Sequence, residues 1–176
     1  LFRSVFGRGV GDNLGPLALR LEVLERYQRR ANLLWLIEPG EENGSHALGD
    51  YLGMSAIPRP DLWLDETGYF ESGGSQRVLS MGMGGSLSGV VPLCAQVAAA
   101  HGWSTRTEER RLRRFVAEAG FNLEGLFKGV PYLAIGPNDD LSDVHGDQES
   151  LCLDTLGVSM RQFEVLLEMS SQEARP

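Results

Sequence analysis

Four acidic or histidine residues follow apolar segments of the chain, at points where strands are expected to end. Glu41 and Glu42 come soon after the run ANLLWLI. Asp65 directly follows DLWL, and His145 lies in the polar segment after VPYLAI. Because ligands of open α/β sheets bind beyond the carboxyl ends of the strands, we expect these side chains to converge on one site.

Asp12 lies in a glycine-rich turn immediately before an expected helix. An Asp at this position is typical of a helix N-cap, because its carboxylate accepts hydrogen bonds from the first backbone N–H groups. Glu41 and Glu42, taken alone, are typical of a solvated loop. Two neighbouring carboxylates can also act together, one binding a metal and the other accepting a proton. The hypothesis of a functional site therefore depends on the whole set of candidate residues rather than on any one of them.

Carboxylates and an imidazole are ligands that zinc accepts, and a further carboxylate can remove a proton from a water that zinc has made more acidic. A two-zinc site needs a bridging carboxylate, which Asp12 suits. Glu42 and His145 then serve one metal and Asp65 the other, while Glu41 remains free as the general base. This set of residues lacks one of the ligands that two zinc ions need. Cobalt or manganese would also suit these carboxylate and imidazole ligands.

The elements that must position these residues alternate between helical and extended patterns. Leu14–Arg30 repeats apolar residues at the spacing of one helical face, namely Leu14, Leu17, Leu21, Leu24 and Tyr27. Ala31–Ile37 suits a strand buried on both faces of a sheet. Further helices are predicted at Ser45–Met54, Leu87–His101, Thr107–Ala119 and from Ser150 to about Met169, and further strands at Asp61–Leu64, Arg77–Met81 and Val130–Ile135. Asn138–Glu149 is predicted to be a polar loop. The alternation predicts an α/β fold of three layers, α/β/α, with a mostly parallel central sheet.

A second glycine-rich loop, containing Gly84, Gly85 and Ser86, leads into the helix predicted at Leu87–His101. Its backbone N–H groups are candidates for binding a substrate carboxylate or a developing oxyanion. The alternative interpretation is a tight turn between a strand and a helix, which is the commonest use of glycine in such a place.

Four segments, in order, resemble motifs of the zinc exopeptidases typified by glutamate carboxypeptidase, aminoacylase and succinyl-diaminopimelate desuccinylase. Phe6–Gly15 (FGRGVGDNLG) is similar to the motif of the metal-bridging Asp, although Leu14 replaces the common Lys. Leu36–Ser45 (LIEPGEENGS) resembles the motif in which the first Glu is the catalytic base and the second a zinc ligand. The resemblance therefore implies these roles for Asp12, Glu41 and Glu42.

The other two segments supply the remaining ligands that the resemblance implies. Pro60–Asp65 resembles the strand that ends in the third ligand, with Asp65 preferred and Glu66 left open. Val144–Ser150 (VHGDQES), after the strand-like Gly129–Pro137, resembles the closing histidine motif and makes His145 the last zinc ligand.

The chain also departs from the family pattern. The family's first ligand, a His in a His-x-Asp motif upstream of Asp12, has no counterpart here. We expect either that the N-terminal strand carrying this His lies on another segment or a companion chain, or that the second zinc lacks a ligand. About 65 residues separate Asp65 from Val130, too few for the lid domain of the carboxypeptidase branch. In this respect the chain resembles the lidless zinc aminopeptidases.

Composition sets the broad class. A length of 176 residues with 42% apolar and 23% charged residues predicts a single, packed, soluble domain over residues 1–176. A net charge of −8 argues against a nucleic-acid partner, and no apolar run approaches the ~20 residues of a membrane span. Cys94 and Cys152 are expected to be free thiols, which favours a cytoplasmic location.

Together these features predict a zinc-dependent hydrolase that cleaves an amide or peptide bond in a dipeptide or an N-acyl amino acid. The alternative is a non-catalytic relative or subunit with an incomplete metal site, acting in binding or regulation.

Overall fold

The computed structural model describes residues 3–27, 32–37, 40, 48, 51, 57–66, 68–109 and 129–173. The strands in this part of the chain are β1 Ser4–Phe6, β2 Trp63–Asp65, β3 Tyr69–Glu71, β4 Ser75–Met81, β5 Ser104–Glu109, β6 Tyr132–Ala134 and β7 Ser150–Cys152. The α-helices are α1 Gly15–Tyr27, α2 Val90–Ala100 and α3 Leu153–Glu173.

Five of the strands form one mixed sheet in the order β2-β6-β4-β3, with β5 also paired to β4. The β4–β5 pairing joins six residue pairs and the β2–β6 pairing three, all parallel. The antiparallel pairings of β4 with β3 and with β6 join three residue pairs each. An α/β fold with a mostly parallel sheet is therefore confirmed.

The directions of β2, β6 and β4 decide which loops meet. Because β2 and β6 are parallel, with Asp65 opposite Ala134, both strands end at the same edge of the sheet. In contrast, β4 is antiparallel to β6, with Met81 opposite Tyr132 at the first residue of β6. The carboxyl end of β4 therefore lies at the opposite edge.

The two remaining strands, β1 and β7, form a separate antiparallel pair. Phe6 lies opposite Ser150 and Ser4 opposite Cys152, and the Gly7 N–H donates to the carbonyl of Glu149 at 3.0 Å. This pairing brings the segment before Asp12 alongside the segment after His145.

Helix α1 has clear sequence determinants. Pro16 occupies its first turn, where a missing backbone N–H costs nothing. Leu19 and Val23, four residues apart and both buried, form one apolar face. That face packs against Phe163 and Leu167 of α3, which are also four residues apart.

Helices α1, α2 and α3 pack on one face of the five-stranded sheet. Val78 and Leu133 of this face are fully buried against Cys94 of α2 and Leu166 of α3. The opposite face also carries buried apolar side chains, namely Leu79, Met81, Tyr132 and Ala134. The central strands β4 and β6 are therefore largely buried on both faces, whereas β5 is mostly exposed.

The prediction of a buried central strand at Ala31–Ile37 is wrong for the described residues. Residues 32–37 have no strand structure, and Leu33, Leu34 and Ile37 are 48%, 52% and 63% exposed. An apolar run indicates a tendency to extend, but a strand also needs backbone partners on neighbouring strands.

Two predicted helices begin differently in the structure. Thr107–Glu109, predicted as the start of a helix, is the end of β5, because this segment pairs with β4; residues 110–119 lie outside the described residues. Ser150–Cys152 forms β7, so the last helix begins at Leu153 rather than Ser150. In both cases a strand pairing overrides the local helical pattern.

Both cysteines are free, with Cys94 buried and Cys152 partly buried. Among the described residues, none of the helices combines the length and the apolar character needed to cross a bilayer.

Candidate metal centre

Asp12 lies in an irregular turn between β1 and α1. Gly7 and Gly9 have φ angles of 155° and 77°, which favour glycine, and Val10–Leu14 then forms a distorted helical turn. Asp12 itself has non-helical dihedral angles (φ −128°, ψ 93°), and its peptide bond to Asn13 is cis. The hydrogen bond found for its carboxylate is with His145 rather than with a backbone N–H of α1.

His145 lies in the predicted polar loop between β6 and β7. It has a positive φ of 68°, and Asp143 has a φ of 44°, a left-handed conformation that is uncommon for residues other than glycine. The loop is held by hydrogen bonds from Gly146 N–H to the Asp143 carbonyl (2.7 Å) and from Ser150 N–H to the Ser142 carbonyl (2.9 Å). These bonds fix the direction in which the imidazole projects.

The two loops bring Asp12 and His145 into direct contact although 133 residues separate them in sequence. The imidazole Nε2 lies 3.1 Å from Asp12 Oδ2. Both side chains remain accessible, Asp12 being 37% and His145 56% exposed. A partly exposed carboxylate and imidazole at this separation can bind the same cation.

Asp65 is the last residue of β2 and lies at the edge of the sheet where β2 and β6 both end. Its carboxylate accepts a hydrogen bond from the Tyr132 hydroxyl at 2.5 Å. Glu66 turns towards the Asp12 loop, where it accepts hydrogen bonds from the Asn13 amide and, at 2.8 Å, from Arg20. Burial raises the pKa of Glu66, the negative charges of Asp65 and Asp12 raise it further, and Arg20 opposes the change. Asp65 and Glu66 thus both remain candidates for the third metal ligand. Glu66 contacts Asn13, the residue that follows Asp12 in the chain.

Close backbone approaches fix this edge of the sheet. A Cβ atom added at Gly136, just after β6, would lie 1.8 Å from the Glu66 carbonyl oxygen. Asn138 then donates from its side chain to the Gly11 carbonyl at 3.1 Å. These contacts join the segment after β6 to the segment after β2 and to the Asp12 loop.

Glu149 is a residue of this region to which the sequence pattern assigned no role. Its side chain is 1% exposed, and its carboxylate accepts backbone N–H groups from Gly9 (2.8 Å), Gly11 (2.9 Å) and Asp12 (3.0 Å). Burial alone would raise the pKa of this carboxyl, but the three N–H donors and the nearby Arg8 lower it below its ordinary value. In sequence, the available signal was its place as the last residue of the predicted polar loop that carries His145.

The structure does not bring Gly84, Gly85 and Ser86 to this site. The loop follows β4, whose carboxyl end lies at the amino end of β6, at the opposite edge of the sheet. All three residues are exposed, and the Leu87 N–H donates to the Gly84 carbonyl at 3.1 Å. This geometry fits the alternative interpretation, a tight turn leading into α2.

Glu41 and Glu42 lie outside the described residues, so their predicted roles stay predictions. Within the ranges that the structure describes, no group of three or more His, Cys, Asp or Glu residues is arranged to hold a metal ion.

No family model matches the chain, and no curated protein matches it.

Proposed function

We propose that the chain forms the metal centre of a zinc-dependent hydrolase that cleaves an amide or peptide bond in a small substrate, such as a dipeptide or an N-acyl amino acid. The observation that carries the proposal is the contact between Asp12 and His145. The two residues belong to separate sequence motifs. Asp12 is predicted to be the bridging ligand, and His145 is predicted to be the last ligand.

The contact fits zinc geometrically. For ligands about 2.1 Å from a tetrahedral zinc, the ligand atoms are separated by about 3.4 Å. Asp12 Oδ2 and His145 Nε2 are 3.1 Å apart, so a shift of a few tenths of an ångström would suffice. Cobalt and manganese accept the same donor types, so zinc is proposed because four-coordinate carboxylate and imidazole sites are typical of it.

Further ligands would come from Glu42 and from the acidic pair after β2. Asp65 is the residue preferred from sequence, and its place at the shared edge of β2 and β6 supports it. The contact of Glu66 with Asn13 supports Glu66 equally. A companion chain or segment supplying a further His would complete the second metal shell.

In the proposed reaction, bound zinc supplies positive charge that polarises the amide carbonyl and acidifies water. Glu41 takes the proton from the attacking water and returns it to the leaving amine. Asp12 and His145 would hold the metal, and Glu149 holds the backbone of the Asp12 loop through the N–H groups of Gly9, Gly11 and Asp12.

The proposed architecture is the three-layer α/β/α arrangement of the zinc exopeptidases. The burial of Leu79, Met81, Tyr132 and Ala134 on the face opposite α1, α2 and α3 supports a further layer there, because apolar side chains are buried only when something covers them.

The decisive experiment measures zinc content and zinc affinity in the wild type and in Asp12→Ala, His145→Ala, Asp65→Ala and Glu66→Ala. Glu22→Gln, an exposed acidic residue of α1, serves as the control. We expect both Asp12→Ala and His145→Ala to lose zinc while the control retains it. Of the other two variants, the one that loses more affinity identifies the third ligand.

Hydrolysis of a panel of dipeptides and N-acyl amino acids tests the activity. Glu41→Gln should retain zinc and lose turnover, and full activity in that variant would exclude the mechanism. Zinc binding without hydrolysis of any substrate would favour the alternative, a non-catalytic relative or subunit. Equal zinc binding by wild type and Asp12→Ala would refute the metal centre.

A further inference from the structure

Glu149 links the two loops that carry the candidate ligands. It follows His145 by four residues, and its carboxylate receives the N–H groups of Gly9, Gly11 and Asp12. One buried side chain thus connects the backbone of Asp12 to the chain segment that carries His145.

The arrangement requires a carboxylate of this length. Three N–H donors converge on two oxygens, Gly9 on Oε2 and Gly11 and Asp12 on Oε1. Glutamine would replace one oxygen by an NH₂ group, which would face a donor instead of accepting from it. Aspartate is shorter by one methylene and cannot reach all three donors from the same backbone position.

The surroundings leave little freedom for another arrangement. The Gly7 N–H donates to the Glu149 carbonyl, so the backbone is anchored as well as the side chain. A Cβ atom added at Gly11 would lie 3.2 Å from Asn138 Oδ1 and 3.5 Å from Glu149 Oε1. Asn138 also donates to the Gly11 carbonyl. The peptide before Asp12 is therefore held on both its N–H and its C=O sides.

We infer that Glu149 is a positioning residue that sets the separation of Asp12 and His145 and thereby the affinity of the metal centre. The expected effect on zinc affinity rests on the proposed function. The effect on the position of Asp12 rests only on the hydrogen bonds that Glu149 accepts. Replacing a residue that orients metal ligands typically costs about 10–100-fold in metal affinity.

The test compares Glu149→Gln and Glu149→Asp with the wild type in three measurements: zinc affinity by chelator competition, hydrogen exchange of the Gly9, Gly11 and Asp12 amides, and the Asp12–His145 separation in a crystal structure. Gln162→Leu is the matched control, because Gln162 is also a buried polar residue but bonds to Gln76 and to the Cys94 carbonyl in the core.

We expect Glu149→Gln to bind zinc about 10–100-fold more weakly, with faster exchange at the three amides and a wider Asp12–His145 separation. Glu149→Asp should lie between that variant and the wild type, and it provides the comparison if Glu149→Gln does not fold. Gln162→Leu should lower the overall stability but leave zinc affinity and the three amides unchanged.

Zinc affinity within twofold of the wild type in folded Glu149 variants would overturn the inference, as would an equal loss in Gln162→Leu. If the wild type binds no zinc, the proposed function fails, and amide exchange and the Asp12–His145 separation still decide the role of Glu149. Unchanged amide exchange and an unchanged Asp12–His145 separation in the Glu149 variants would refute the positioning role of Glu149.

Discussion

Replacing Gly136 by Ala should strongly destabilise the protein, because no space exists for a methyl group at this position. The added Cβ would lie 1.8 Å from the Glu66 carbonyl oxygen and 2.9 Å from the Gly68 carbonyl oxygen. Since a carbon–oxygen contact needs about 3.3 Å, the two backbones would have to separate by roughly 1.5 Å. The obstacle is backbone rather than a flexible side chain, so a rotamer change cannot relieve it.

The expected loss follows from the costs of overpacking. Extra methyl groups in tightly packed regions cost about 1–3 kcal/mol, and we expect the upper end, about 3 kcal/mol, since backbone must move. With an m-value of about 2 kcal/mol/M, the urea midpoint should fall by about 1.5 M. Equilibrium urea denaturation followed by circular dichroism measures this shift.

Gly157 provides the matched control. It lies within α3, and a Cβ atom there would have no neighbour within 4 Å. Gly157→Ala should therefore stabilise the protein by about 0.5–1 kcal/mol, because alanine loses less backbone entropy in a helix. If Gly136→Ala unfolds at the same urea concentration as the wild type, the close approach between the segments after β2 and β6 is refuted.

Two further predictions concern titratable groups. Burial raises the pKa of the Cys94 thiol to about 12, so in Cys152→Ser at pH 8 a thiol reagent should label Cys94 only after unfolding; equally fast labelling of the native protein would contradict this. Hydrogen bonds from Arg106 and Ser75 hold the pKa of Glu71 below its ordinary value of 4.5. This contribution to stability is present above pH 4.5 and is lost as the pH falls through the lowered pKa. Carbon-13 NMR titration should place the Glu71 midpoint below 4.5 and move it upwards in Arg106→Gln, and an unchanged midpoint in that variant would exclude Arg106 as the cause.

Local sequence patterns were sufficient for the regular elements with strong periodicity. The helix predicted over Leu14–Arg30 is observed as α1, and the apolar segment around Leu133 is β6 as predicted. The predicted apolar face of that helix is wrong, because Leu14 and Leu21 are exposed and the buried face is formed by Leu19 and Val23. The polar segment Asn138–Glu149 is a loop that carries His145. These features depend on residues close together in the chain, so their determinants are visible in sequence.

Features that depend on strand partners were not predictable in this way. The run ANLLWLI has the composition of a buried strand, yet residues 32–37 are not strand and are partly exposed. Likewise, Thr107 belongs to β5 because of its pairing with Val78 of β4. The energy of a strand lies in hydrogen bonds to a distant segment, which a local pattern does not identify.

The candidate site shows the same division. The residue types and motif order of the sequence selected Asp12 and His145, but only the tertiary structure decided that their side chains lie 3.1 Å apart. It also decided that Gly84–Ser86 lies at the opposite edge, because β4 is antiparallel to β6. The role of Glu149 depends on three N–H groups contributed from about 140 residues away. Sequence determines which chemical groups are present, whereas the directions of the strands and the close backbone approaches determine which of those groups meet.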